Sequence, residues 1–143
     1  MESHKSAQNA LEDIKVNVKL KLAALWAGFM FLYIYVDYFA LYMPHKIEGI
    51  LKGKVFVFDI TQGFLLTTLA SVAIPALMIF LSLAMPAKLN RRVNSTIAAL
   101  YIPYTLFNLT GLTWMHMVFG AGVEVTLLCL IIRYAWKWPR IES

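Results

Sequence analysis

Residues 22–43 read LAALWAGFMFLYIYVDYFALYM, a stretch in which Asp37 is the one charged side chain. A helix crosses a bilayer with about 20 mostly apolar residues, so this stretch decides the fold class. Three further segments have the same character: 64–85, 93–110 and 113–136. The chain is expected to be all-α, a four-helix transmembrane bundle forming one domain over residues 1–143. Spans three and four are separated by only a few residues and should make a tight hairpin. Composition agrees. Of 143 residues, 60% are hydrophobic and 15% charged, against about 45–50% and about 25% in ordinary soluble domains.

The placement of the cations gives the orientation. Lys5, Lys15, Lys19 and Lys21 precede span one, Lys88, Arg91 and Arg92 lie between spans two and three, and Arg133, Lys137 and Arg140 follow the core of span four. Lys46, Lys52 and Lys54 share the loop on the other side. Positive residues collect in the cytoplasm, which makes both ends cytoplasmic. The net charge of +5 does not point to nucleic acid, because the cations flank apolar segments and form no separate basic domain. Tyr42, Trp114, Trp136 and Trp138 fall near the expected interfaces, where aromatic rings anchor.

The polar start of the chain lacks the early apolar region of a cleavable signal peptide. Residues 14–22, IKVNVKLKL, alternate like a strand; a lone strand would leave its edges unpaired, so an interfacial lead-in with snorkelling lysines is expected. The outer loop, 44–59, has room for a short interfacial helix. Cys129 is alone, which excludes an internal disulfide, a CxxC pair and a zinc cage, and it reads as a small core or lipid-facing residue.

Ionisable residues inside a span are costly and mark functional sites by default. Asp37 and Glu124 are the two firm cases, roughly 9 Å and roughly 15 Å from the outer ends of spans one and four at 1.5 Å per residue. Helical spacing puts Trp26, Met30, Tyr33 and Leu41 on the face of Asp37, and Met117, Gly120, Leu128 and Ile131 on that of Glu124. Tyr101, Tyr104, Asn108 and Gly111 form a polar stripe on span three. Gly120 and Gly122 would admit a neighbouring helix or a ligand near Glu124. One arrangement meets these constraints: Asp37, Tyr33, Asn108, Tyr104 and Glu124 face a common cavity open to the outside, with His116, Asp59 and Gln62 near its mouth. Such acids bind a proton or a cation. The plainer alternative is that they are protonated and hydrogen-bonded to tyrosine as interhelical glue. On span two, Thr68, Ser71, Pro75 and Ser82 share a face. Pro75 removes the donor for the Ser71 carbonyl, which reads as a packing feature more readily than as a transporter break.

The stretch DIKVNVKLKLAALWAGFMFLYIYVDYFALYMPHKIEGIL resembles a family of small bacterial four-helix integral membrane proteins with no assigned function. Its most recognisable portion runs from Trp26 to Tyr42 around Asp37, then Pro44 and Glu48–Gly49. The resemblance implies a bacterial cytoplasmic-membrane location and a four-helix architecture, and it supplies no activity, cofactor or catalytic residue.

Three functions compete. The first is a proton- or cation-linked transporter or channel, or a small-solute binder, using the buried carboxylates. Four helices seldom enclose a pathway alone, so it calls for a homo-oligomer in the lipid bilayer and a small cationic or apolar ligand. The second is a non-catalytic membrane subunit or sensor. The third, a lipid-modifying membrane enzyme, is the weakest, since no nucleophile–base motif, phosphate loop or metal cluster is present and no cofactor is called for.

Overall fold

A computed structural model describes residues 14–110 and 114–139. Lys5, Arg140 and Gly111, the first residue of the expected fourth span, and the question of a signal peptide lie outside the described residues. In chain order the elements are α1 (Val18–Ala40), α2 (Lys46–Leu51), β1 (Lys54–Val55), β2 (Phe58–Asp59), α3 (Gln62–Ala84), α4 (Ala87–Phe107) and α5 (Met115–Trp136). The fold is all-helical apart from one small hairpin, in which Lys54 faces Asp59 across an antiparallel pair and bonds it at 2.6 Å.

Local chemistry sets the helix ends. Asn17 is extended, and its Oδ1 accepts from the Lys19 N–H at 2.9 Å, so α1 starts at Val18. The alternating stretch is therefore irregular only up to Asn17 and helical beyond it. Thr61 caps α3 in the same way, accepting from the Phe64 N–H at 3.1 Å. Such caps each contribute about 1 kcal/mol by satisfying a donor that has no partner within the helix.

The last two long helices pack on each other as expected of a hairpin, but their link is longer than the few residues expected. The shortest link joins α3 to α4 and consists of Met85 and Pro86, whereas 108–114 connect α4 to α5. Pro86 has no N–H to continue α3, but its carbonyl accepts from the Asn90 N–H at 2.9 Å and opens α4. Helix α4 thus begins six residues before the expected span and takes in Lys88, Arg91 and Arg92. Helices α1, α3 and α5 are each long and apolar enough to cross a membrane. Helix α4 has comparable length and carries these cations and two asparagines in its first two turns.

Helix α1 packs on α3 and α5, and α4 packs on α5 and α3. The N-terminus of α1, the α3–α4 link and the C-terminus of α5 meet at one basic end. There the Lys19 ammonium donates to the Leu83 carbonyl at 3.2 Å, Lys21 sits over the Tyr134 ring and Arg91 over the Trp136 ring. Trp26, Phe29 and Tyr101 fill the centre edge to face, with ring centroids 5.8–6.4 Å apart. Leu22, Met78, Ala98, Leu128 and Ile131 close around them.

Beneath these rings lies a polar network that is fully buried. The Trp26 indole N–H donates to Asn94 Oδ1 at 2.7 Å, and the Ser82 hydroxyl donates to the same oxygen at 3.1 Å. The Asn94 amide gives its two hydrogens to the Asn90 carbonyl and to Asn90 Oδ1. Asn94 thereby makes all four bonds open to it. Asn90 in turn donates to the Ser82 carbonyl, one of the last carbonyls of α3, which have no partner within the helix. Replacing Asn94 by Ala strands the indole, Ser82 and Asn90 at once. With about 0.6 kcal/mol for an average interhelical bond in a bilayer and about 1–3 for an orphaned buried group, Asn94→Ala is expected to lose about 2–3 kcal/mol. Unfolding in detergent measures this, with the exposed Thr126→Ala as a control expected within about 0.5 kcal/mol; equal midpoints for both variants would refute the role given to the network.

Candidate functional site

Helices α1 and α5 come into tight contact at Gly120. A Cβ built there would lie 2.3 Å from Val36 Cγ2, inside van der Waals contact and against a side chain stiff at χ1. Gly122, by contrast, has nothing within 4 Å of a built Cβ. Of the two glycines, only Gly120 is needed for a neighbouring helix to approach. Val36 precedes Asp37, and Gly120 lies one turn before Glu124, so this contact brings the two acids within electrostatic reach of each other.

The acids differ in setting. Glu124 is 3% exposed, and the described residues place no Lys, Arg or His within ion-pair distance of it. Its carboxyl lies beside the Thr105 hydroxyl, which is itself buried and has no partner of normal hydrogen-bond geometry among the described residues. Asp37 stands on the stripe of α1 that buries Trp26, Tyr33 and Ala40, yet it is exposed. The helices crowd it on one side without closing over it. Lys46, at the start of α2, is the cation that acts on it electrostatically.

The sequence-derived companions are placed as follows. The Tyr33 and Tyr104 hydroxyls are 3.4 Å apart, and Asn108, which is exposed, lies beside the Tyr33 hydroxyl. The Ser71 hydroxyl donates to the Thr68 carbonyl at 2.7 Å, so it accepts from Tyr104 at 3.0 Å, and Tyr104 in turn accepts from Tyr33. Asp37 acts electrostatically on Tyr33 at the end of this chain. The open cavity expected among these groups is absent from the gap between Tyr33, Tyr104, Tyr101 and Ser71, which has no room for a water molecule. His116 is half-buried against the Trp114 ring with its Nε2 unpartnered, and among the described residues nothing links it to either acid. Asp59 is tied to Lys54 instead.

Pro75 lies inside α3, and the Ser71 carbonyl it leaves unbonded receives the Tyr101 hydroxyl. The break is therefore satisfied from α4 and acts as packing. In the loop, Lys52 at 2.7 Å and His45 at 3.3 Å hold the Glu48 carboxyl below its usual range. Among the described residues no group of His, Cys, Asp and Glu could hold a metal.

Sequence reasoning passed over Thr105 and the Asn90–Asn94 pair. The i, i+4 spacing of the asparagines was the available signal, obscured by the neighbouring cations that made 88–92 look like a loop. The Gly120 contact carries a direct prediction. Gly120→Ala should destabilise the bundle by about 1–3 kcal/mol through overpacking, and Val36→Ala in the same chain should restore most of the loss. A double-mutant cycle on detergent unfolding reads this coupling, and strictly additive losses would rule it out.

A family model described as "Family of unknown function (DUF6326)" matches residues 11–143. No curated protein and no solved structure matches the chain. The family match spans all four long helices, both acids and the buried asparagines, and the chain belongs to this family of unknown function.

Proposed function

We propose that this chain is a multi-pass protein of a bacterial cytoplasmic membrane, a four-helix bundle with both ends in the cytoplasm. On this reading Glu124 binds a proton or a small cation that arrives from the outer face by way of Asp37. The apolar surfaces of α1, α3 and α5 support the membrane location, and the large exposed side chains of α3, such as Leu66, Leu69 and Phe80, suit contact with lipid. The gathering of Lys19, Lys21, Arg91 and Arg133 at one end supports the orientation.

The observation that carries the site is the burial of Glu124, without a cationic partner among the described residues, within electrostatic reach of an exposed Asp37. An ionised carboxylate in a low-dielectric interior is costly, so it either takes up a proton or holds a cation. Asp37 gives that ion a first station open to water. The rings of Trp26, Phe29 and Tyr101 pack against one another at the centre and four helices seldom enclose a pathway alone, so transport on this reading belongs to a homo-oligomer, and binding alone suffices for a sensor. A non-catalytic subunit is the competing reading, favoured by the complete pairing of the Asn90–Asn94 network.

Infrared titration of the protein in liposomes tests the site. The parent should show a carboxyl band that changes with pH and external cation, and Glu124→Gln should abolish it. The same band in the Asp37→Asn, Glu124→Gln double variant would end the proposal. For orientation, a reporter active only in the cytoplasm should give signal when fused to either end of the chain, and none when inserted at Gly53. Signal from the Gly53 insertion would reverse the topology.

A further inference from the structure

At the basic end, the residues leading into α1 and those leaving α5 enclose a cleft of about 660 Å³. Lys15, Lys21, Arg133 and Lys137 line it, and among the described residues no carboxylate does. Among the described residues none of these four makes an ion pair, and the compensation Lys21 receives is the face of the Tyr134 ring, 5.3 Å away. Four positive groups around one hollow repel each other unless an anion fills it. Apolar side chains share the wall with the cations: Val16, Val18, Leu130 and Trp138. The volume suits a headgroup with its glycerol, since small-ligand sites run about 300–1,000 Å³.

We infer that this cleft binds the phosphate headgroup of an anionic phospholipid of the inner leaflet. The inference rests on the membrane reading above, because the cleft lies where α1 begins and α5 ends, the level at which headgroups meet a spanning helix. The combination of cations and apolar side chains in one lining favours a lipid over free phosphate, which has no use for Val18 and Leu130. Basic pockets between helices on the cytoplasmic side are a known means of holding such headgroups. The bound lipid would join the first turn of α1 to the last turn of α5, across the same pair of helices that meet at Gly120.

Native mass spectrometry of the full chain in neutral detergent, with phosphatidylglycerol, phosphatidylcholine or inorganic phosphate added, tests this. Phosphatidylglycerol should be retained roughly tenfold better than phosphatidylcholine, and Lys21→Gln with Arg133→Gln should remove that preference. The charge-preserving Lys21→Arg, Arg133→Lys variant should keep it, which separates lost charge from lost fold. Equal retention of both lipids, an unaltered preference in the neutralised variant, or displacement of the lipid by inorganic phosphate would each overturn the assignment. So would lipid retention that appears only after Glu12→Gln, Asp13→Asn and Glu142→Gln, since the anions of the chain itself would then be the occupants. Alkaline carbonate extraction of cell membranes tells the two readings apart. A chain that stays with the membrane but shows no lipid preference defeats only the cleft, whereas a chain released into the wash defeats the membrane reading as well.

Discussion

Asn94 is the side chain on which three helices converge. Its oxygen accepts from Trp26 of α1 and Ser82 of α3, while its amide holds Asn90 one turn earlier on α4. Apolar packing in a bilayer distinguishes poorly between one helix neighbour and another, because lipid tails are as apolar as leucine. A buried amide that finds all its partners in only one arrangement does distinguish them. The edge-to-face rings of Trp26, Phe29 and Tyr101 sit on this network, and the Trp26 ring takes its orientation from the indole bond. The short α3–α4 link depends on it too, since Asn90 satisfies the Ser82 carbonyl where α3 stops.

The bundle is consequently two different environments end to end. Toward the basic end, the side chains of the Asn90–Asn94 network are all paired with one another or with backbone. Toward the loop end, the groups are less completely matched. Among the described residues Thr105 has no partner of normal geometry and Glu124 has no cation in ion-pair reach, and Asp37 is exposed. The change falls near Tyr101 and Tyr104, whose hydroxyls reach across to Ser71 and cover the backbone that Pro75 leaves unbonded. Gly120 belongs to the second environment. Its lack of a Cβ lets Val36 seat against α5, which brings Asp37 within electrostatic reach of Glu124.

Much of this was legible in the residues. The apolar runs gave the four long helices to within a few positions, the cations gave the basic end, and Gly120 and Pro75 were identified with the right physical roles. The boundary of α4 was misread because Lys88, Arg91 and Arg92 raise the polarity of its first turns, and a hydropathy argument counts them as a loop. Pro86 and the spacing of Asn90 and Asn94 mark the true start, but their meaning depends on Ser82 and Trp26, which are distant in sequence. The site was half legible. Spacing put Asp37, Tyr33 and Trp26 on one stripe correctly. It could not reveal that the tyrosines fill their own gap, because that depends on how ring volumes from three helices interlock.

The two environments constrain any mechanism built on Glu124. An ion reaching it by way of Asp37 leaves by the same route unless the other half opens. Opening that half breaks the bonds of Trp26, Ser82 and Asn90 to Asn94 together, at about 1–3 kcal/mol for each orphaned group. Inverting a 1:99 equilibrium takes about 5.5 kcal/mol of preferential binding to one state. One ion on a single carboxylate supplies that only if nearly all of its binding energy is absent in the closed state. A second copy packed against the exposed face of α3 offers a less costly solution, because a path between copies leaves Asn94 saturated in each. The Asn94 network therefore favours function at a surface over function through the middle of one bundle, and it makes the contact between Val36 and Gly120 the place where binding at Glu124 would be felt by the rest of the molecule.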